Sequence, residues 1–259
     1  MRLIPCIEML YKAEHPDFIE RFRAAKADGF DAVDIWLWRD KPLDAIADVV
    51  AETGVQVNTF GVDPRASLVN PDEHATVLAG VRDAVPVAHR LNTGGAPARM
   101  LLASGFQLPG MTDAEVRANA VKVLREACRI AADGGVSLLL EPVHMVIQGN
   151  PMAVRNIRQG LDLAEAVDHP ALQVLADVFH NAVDGQTFAD AFAGRIGLVG
   201  HVQVADFEGR HEPGTGSLPW ATLLPLLQSR GYTGPIGLEY LPTLPMAESL
   251  ALTRRSLGL

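Results

Sequence analysis

VSLLLE at residues 136–141, LQVLAD at 172–177, GLVGHVQ at 197–203 and PIGLEY at 235–240 are four short, nearly continuous apolar runs. Three of them end on or beside a carboxylate, Glu141, Asp177 and Glu239. Such runs suit strands buried on both faces, as in a parallel sheet. Four more precede them: LIPCIE at 3–8, DAVDIWL at 31–37, VQVNTFG at 55–61 and RMLLAS at 99–104. Amphipathic segments lie between. Residues 16–28 place Phe18, Phe22, Ala25 and Ala27 near one helical face, with Gly29 as the stop. Thr112-Asp113-Ala114-Glu115 has the form of a capping box opening a helix over 112–132, which Gly134-Gly135 ends. Helices are also expected over 218–230 and 245–257. Strand starts recur about every 30 residues, the size of a βαβ unit. Eight βα units in 259 residues predict an α/β fold, a single (β/α)8 TIM barrel. A doubly wound open sheet is the alternative, but it usually carries a glycine-rich turn after strand one. Here strand one runs into Glu8-Met9-Leu10-Tyr11.

Composition excludes several classes. Apolar residues make up 48% and charged residues 20%, which rules out overall disorder. No linker, low-complexity tract or composition shift divides the chain, so one domain over 1–259 is expected. No apolar run reaches the ~18 residues needed to span a bilayer. The N-terminal MRLIPCIEML shows no signal-peptide cleavage pattern and reads as a strand. The net charge is −9, from 22 basic and 31 acidic residues. Binding to nucleic acid or to an anionic membrane needs clustered lysine and arginine, so neither is expected as a partner. Cys6 and Cys128 have no CxxC partner and read as buried small hydrophobes, which suits a reducing, cytoplasmic location. A homo-oligomer is compatible with this composition.

In a barrel the reactive groups gather at the C-terminal ends of the strands. Strand five ends in Glu141, strand six in Asp177 and strand eight in Glu239, while strand seven carries His201 and Gln203 on one face. Three carboxylates that converge repel and raise one another's pKa, and a hard divalent cation resolves the conflict. With the Gln203 amide oxygen they make an all-oxygen set that suits Mg2+ or Mn2+. Each acid alone also reads as the cap of the next helix or the partner of an arginine, and Gln203 as a buried amide. His201, one step deeper, reads equally as a core histidine or a substrate contact. His180, just past strand six, favours substrate binding over a solvated position. In Arg210-His211-Glu212-Pro213-Gly214-Thr215-Gly216 the arginine offers a fork for an anionic or polyhydroxy ligand, and the rest reads as a surface loop.

The segments Glu141-Pro142, Asp177-Val178-Phe179-His180, His201 to Asp206, Arg210 to Gly216 and Gly237-Leu238-Glu239-Tyr240 resemble the hydroxypyruvate isomerase family of the xylose isomerase-like barrels. Phe18 to Phe22 and Gly29 to Asp34 are similar to it too. The resemblance implies that Glu141, Asp177, Gln203 and Glu239 are metal ligands, with Glu141 and Glu239 as the acid/base pair. Related ketose epimerases usually carry histidine at the place of Gln203. The sequence departs from the family after strand five, where Val143-His144-Met145-Val146 replaces Leu-Asn and an Arg-Asp pair. It departs again after strand three, where a Gly-Asp-Trp segment is missing near Gly61-Val62-Asp63-Pro64, and at Leu241, where the family has lysine. Trp36-Leu37-Trp38 stands behind Asp34, where the family has a glutamate. His144, Trp36 and Trp38 then offer a flatter, more apolar wall suited to a sugar-like face, with His180 and Arg210 as further substrate contacts.

The chemistry so implied is proton transfer beside a carbonyl through an enediolate, interconverting hydroxy keto compounds of the hydroxypyruvate type. The partner is a small keto acid or sugar. Rivals on the same barrel are a ketose 3-epimerase and a metal-dependent 3-oxo acid decarboxylase. An endonuclease IV-like phosphodiesterase would need a histidine-rich multi-zinc site and a basic face, and neither is evident. A silent sugar-binding barrel would not need Glu141 and Glu239.

Overall fold

Eight parallel strands form one sheet, and their neighbour order is 1-8-7-6-5-4-3-2. They span Leu3–Pro5, Ala32–Leu37, Gln56–Gly61, Arg99–Ala103, Leu138–Glu141, Leu172–Asp177, Val199–Val204 and Ile236–Leu238. The computed structural model describes residues 1–92, 94–192 and 194–259. The remaining seam, between strands one and two, is drawn together by a parallel bridge between Cys6 and Asp34. There the Ile7 N–H donates to the Asp34 carbonyl at 3.1 Å. This is the (β/α)8 barrel that the spacing predicts.

The inner strands are continuous hydrocarbon because each packs against helices outside and barrel side chains inside. Leu138, Leu139 and Leu140 are all fully buried. Their last residues differ in kind because the strand ends meet solvent and ligand rather than core. Register fixes which ends lie level. Asp177 stands beside Gln203, and Gln203 beside Gly237.

The capping box is present: Thr112 Oγ1 accepts the Glu115 N–H at 3.3 Å, and Glu115 accepts the Thr112 N–H at 2.8 Å. Other expectations need correction. Strand one stops at Pro5, because Met9 and Leu10 turn back to donate to the Cys6 carbonyl at 3.1 and 2.9 Å. In the helix Phe18–Ala27, Ala27 is exposed and Arg21 is buried. Nine residues past Phe18 is half a turn off its face. Arg21 is tolerated inside because its guanidinium donates to the carbonyls of Ile7, His15 and Pro16. An antiparallel hairpin pairs Val146–Ile147 with Asn150–Pro151 beyond strand five, an element the sequence reading does not include. Both cysteines are free and buried, and burial pushes the Cys128 thiol up to about 12. Among the described residues no helix is long and apolar enough to cross a membrane.

Candidate active site

Strands five to eight deliver their polar ends to one place. Glu141, Asp177 and His180 each offer a ligand atom, and these atoms lie within 4.8 Å of one another. Asp177 ends strand six and caps the short helix Val178–Val183, its Oδ1 accepting the Phe179 N–H at 2.8 Å. That turn carries His180 back over the carboxylate, with Nε2 at 3.6 Å from Asp177 Oδ2. Arg210 lies between the acids: its Nη2 donates to Asp177 Oδ2 at 3.0 Å and to Glu239 Oε2 at 2.6 Å. The Trp36 indole N–H donates to the other Glu239 oxygen at 2.9 Å.

These contacts set the electrostatics. Burial lifts the Glu141 carboxyl well above the usual carboxylate range, and the Glu239 and Asp177 charges lift it further against Arg210 and Arg65. Burial also raises Asp177 and Glu239, with Arg210 the main opposing influence on each. Burial, then the Arg210 charge, pushes His180 down to about 3. Its imidazole is therefore neutral at pH 7 and has a lone pair to give. Gln203 is buried and its Oε1 has no hydrogen-bond partner. A buried amide oxygen left unpaired costs about 1–3 kcal/mol, and a cation or substrate would relieve it. Crowded acids, a neutral imidazole and an orphaned amide oxygen together fit a divalent cation.

The Arg210 loop is organised from within. Asp206 is fully buried, and its Oδ2 accepts the N–H groups of Gly214 and Gly216 and the indole of Trp220, at 2.8, 2.9 and 2.8 Å. Glu212, also fully buried, accepts from Thr243 N–H and Leu244 N–H at 2.8 and 3.1 Å, tying the loop to the segment after strand eight. Nothing in the sequence assigns these two acids a role of their own. In the structure they are the anchors that present Arg210.

Beneath the cluster runs a buried polar chain that sequence reading missed. His201 Nε2 meets Asp34 Oδ2 at 2.9 Å, and Asp34 Oδ1 accepts from Asn58 and Thr59, each at 2.7 Å. Arg99 continues it, donating to Asn58 Oδ1 at 2.7 Å. His201 is thus a supporting core residue, one turn of the pleat below Gln203. Strand eight passes this chain only because residue 237 is glycine: a Cβ there would lie 2.5 Å from His201 Nε2 and 2.9 Å from Gln203 Cγ.

A cavity of about 450 Å3 opens over the cluster and is lined by Trp36, Glu141, His180, Arg210 and Glu239 among others. Asp177 and Gln203 lie below its floor, 1% and 3% exposed. His144 is placed elsewhere. Its Nδ1 meets Asp184 Oδ1 at 3.1 Å, while Asn156 holds the other Asp184 oxygen at 2.6 Å. Trp38 packs beneath the Arg39 guanidinium at 4.5 Å from its ring centroid. Arg65, in the loop after strand three, reaches the cavity and was not singled out by sequence, because a lone arginine in a loop carries no pattern.

The family model for the xylose isomerase-like TIM barrel matches residues 22–256. A Streptomyces coelicolor relative, provisionally named a hydroxypyruvate isomerase, is 31% identical over 245 residues, covering 86% of this chain and 85% of its own. The 2-oxo-tetronate isomerase of Pectobacterium atrosepticum is 25% identical over 232 residues, covering 87% of each. The crystal structure of an AP endonuclease, family 2, from Brucella melitensis has a TM-score of 0.85 at 24% identity over 96% of each chain, a likeness of fold. The chain belongs to the xylose isomerase-like TIM-barrel family, on its isomerase branch.

Proposed function

We propose that this barrel isomerises small 2-oxo acids that carry a hydroxyl on the neighbouring carbon, moving a proton between the two carbons. Glu141 and Glu239 are the acid/base pair. Mg2+ or Mn2+ would be held by Glu141, Asp177, Gln203 and Glu239, with His180 near enough to join them. The observation that carries this reading is the convergence of Glu141 with the buried Asp177 and Glu239 beside an amide oxygen without a partner. The relatives' names, hydroxypyruvate and 2-oxo-tetronate isomerase, denote substrates of this chemical type.

When bound, the cation supplies Lewis-acid polarisation of the substrate carbonyl. The chain's own residues do the rest. Arg210 and the Trp36 indole oppose the rise in Glu239 and favour its carboxylate form, so Glu239 is the group that removes the C–H proton. Glu141, held well above the usual range by burial and its neighbours, returns a proton to the adjacent carbon. Arg210 offers positive charge to the enediolate that forms between the two steps. His180, neutral, accepts a hydrogen bond from a substrate hydroxyl. Trp36 closes one side, and His144 steadies the wall through Asp184.

A panel of 2-oxo acids and ketoses in deuterated water, with Mg2+ or Mn2+, tests the reading. Deuterium on the former carbonyl carbon marks an isomerase. Label on the inverted carbon alone would mark an epimerase, label replacing a lost carboxylate a decarboxylase, and either would displace the proposal.

A further inference from the structure

The cavity changes character away from the acids. Glu141, His180, Arg210 and Glu239 occupy one end. Beyond them the wall is hydrocarbon, built from Val62, Phe106, Leu108, Met145, Ile147 and Met152. Phe106 and Met152 are joined by an antiparallel bridge, so the hairpin after strand five and the loop after strand four form one surface. Three polar side chains interrupt it: Arg65, Ser67 and Glu73. Two are already engaged. Ser67 Oγ accepts the N–H groups of Val69 and Asn70 at 3.3 and 3.2 Å. Glu73 accepts from the Ser67 N–H at 2.8 Å and the Asn70 amide at 2.9 Å.

Arg65 differs. It is exposed and faces the cavity, and among the described residues it has neither a hydrogen bond nor an ion pair. Arg210, the other guanidinium in the cavity, already spends Nη2 on Asp177 and Glu239. The free fork near Glu141 is therefore Arg65, and a carboxylate is the group that such a fork takes bidentately.

The wall speaks to the rest of the substrate. A sugar chain would bury hydroxyls against it, and each one left unpaired weakens binding roughly 5–150-fold. Each buried methylene instead strengthens binding roughly fourfold. We infer that the substrate is a 3-hydroxy-2-oxo acid, R–CHOH–CO–COO⁻, whose carboxylate is held by Arg65 and whose R is an alkyl or aryl group lodged against Val62, Phe106, Leu108 and Met152. This rests on the isomerase reading above and names its substrate class. The reaction breaks the C–H and O–H bonds at carbon three and forms C–H and O–H bonds at carbon two. The product is the 2-hydroxy-3-oxo acid, with no oxidant or reductant consumed.

The test is kcat/KM with Mn2+ for acids with R = H, hydroxymethyl, ethyl, isobutyl and benzyl, using wild type, Arg65→Met and Arg65→Lys. The methyl ester of the best acid is included, and deuterium uptake from solvent is followed throughout. Ethyl should exceed its near-isostere hydroxymethyl by at least tenfold, with isobutyl or benzyl best. Arg65→Met should lose roughly 10²-fold on the acids, mainly in KM, and little on the ester. Lysine should restore part of the loss. Arg65 makes no hydrogen bond or ion pair among the described residues, so these variants should melt close to the wild type. Equal or better turnover of hydroxymethyl, or equal losses on acid and ester, overturns the inference while deuterium uptake keeps the isomerase reading standing. No uptake with any member overturns both.

Discussion

Replacing Asp34 with Asn tests the buried pair that supports the site from below. Asp34 receives His201, Asn58 and Thr59 at 2.9, 2.7 and 2.7 Å. It is 2% exposed and His201 is fully buried, so solvent screens little of the interaction. A hydrogen bond to a charged group contributes about 1.5–3 kcal/mol, and stripping one member from a buried ion pair costs about 3–5 kcal/mol. Asparagine keeps a carbonyl oxygen for Asn58 and Thr59. It turns an N–H toward the ring, which can change tautomer because His201 Nδ1 has no partner. The loss should therefore fall at the low end, about 2–3 kcal/mol, or roughly 5–10 °C in Tm for a chain of this size. The pH dependence has a definite sign. Burial works to raise the Asp34 carboxyl, but His201, Asn58 and Thr59 outweigh it and leave the pKa lowered. An acid with a depressed folded pKa stabilises fully above its unfolded value of about 4, and that stability is lost as pH falls through the folded value. The gap between wild type and Asp34→Asn should be flat from about pH 5 to 7 and close below about pH 4. Denaturant unfolding followed by circular dichroism from pH 3 to 7 measures it. A gap under about 1 kcal/mol at pH 7, or one that widens on acidification, would refute the reasoning.

Three further outcomes are expected. Mn2+ at a hundred times its Kd should stabilise EDTA-treated protein by about 2.7 kcal/mol, seen as a roughly 5–10 °C rise in Tm by scanning fluorimetry. Gln203→Leu should lose most of that rise. Trp36→Phe keeps the ring and removes the N–H on Glu239. Because that bond favours the charged carboxylate, kcat should fall about tenfold and its acidic limb should move to higher pH, as a pH profile of kcat will show. Gly216→Ala would bring a Cβ within 2.2 Å of the Phe207 carbonyl oxygen and 2.7 Å of Asp206 Oδ1. Stability should drop about 1–3 kcal/mol, and activity more than the melting curve alone explains, since the same loop holds Arg210.

The barrel was legible because strands buried on both faces cannot alternate. Leu138-Leu139-Leu140 and Val174-Leu175-Ala176 advertise parallel neighbours, and a carboxylate at the end of such a run has no place in a core. The convergence of Glu141, Asp177 and Glu239 followed from that alone. What sequence could not supply was the partner across the barrel. Asp34 and His201 are 167 residues apart and meet only because the sheet closes. Nor did sequence reveal the role of Asp206 and Glu212, because a loop acid that collects backbone N–H donors is indistinguishable in sequence from one that faces substrate. Arg65 was invisible for the opposite reason: its interest lies in a missing partner and an apolar surround, both of which are properties of the folded cavity.

The central claim is that Glu141 and Glu239 transfer the proton within a metal-binding cluster. Deuterium uptake from solvent into a 3-hydroxy-2-oxo acid, measured for wild type, Glu141→Gln and Glu239→Gln with Mn2+ occupancy confirmed in each sample, addresses it most directly. Each glutamine keeps the shape and one oxygen but removes the base. The account predicts Mn2+-dependent uptake in the wild type and losses of at least about 10²–10⁴-fold in both variants. Uptake near the wild-type rate in either metal-loaded variant, or full uptake in metal-stripped wild type, would contradict it.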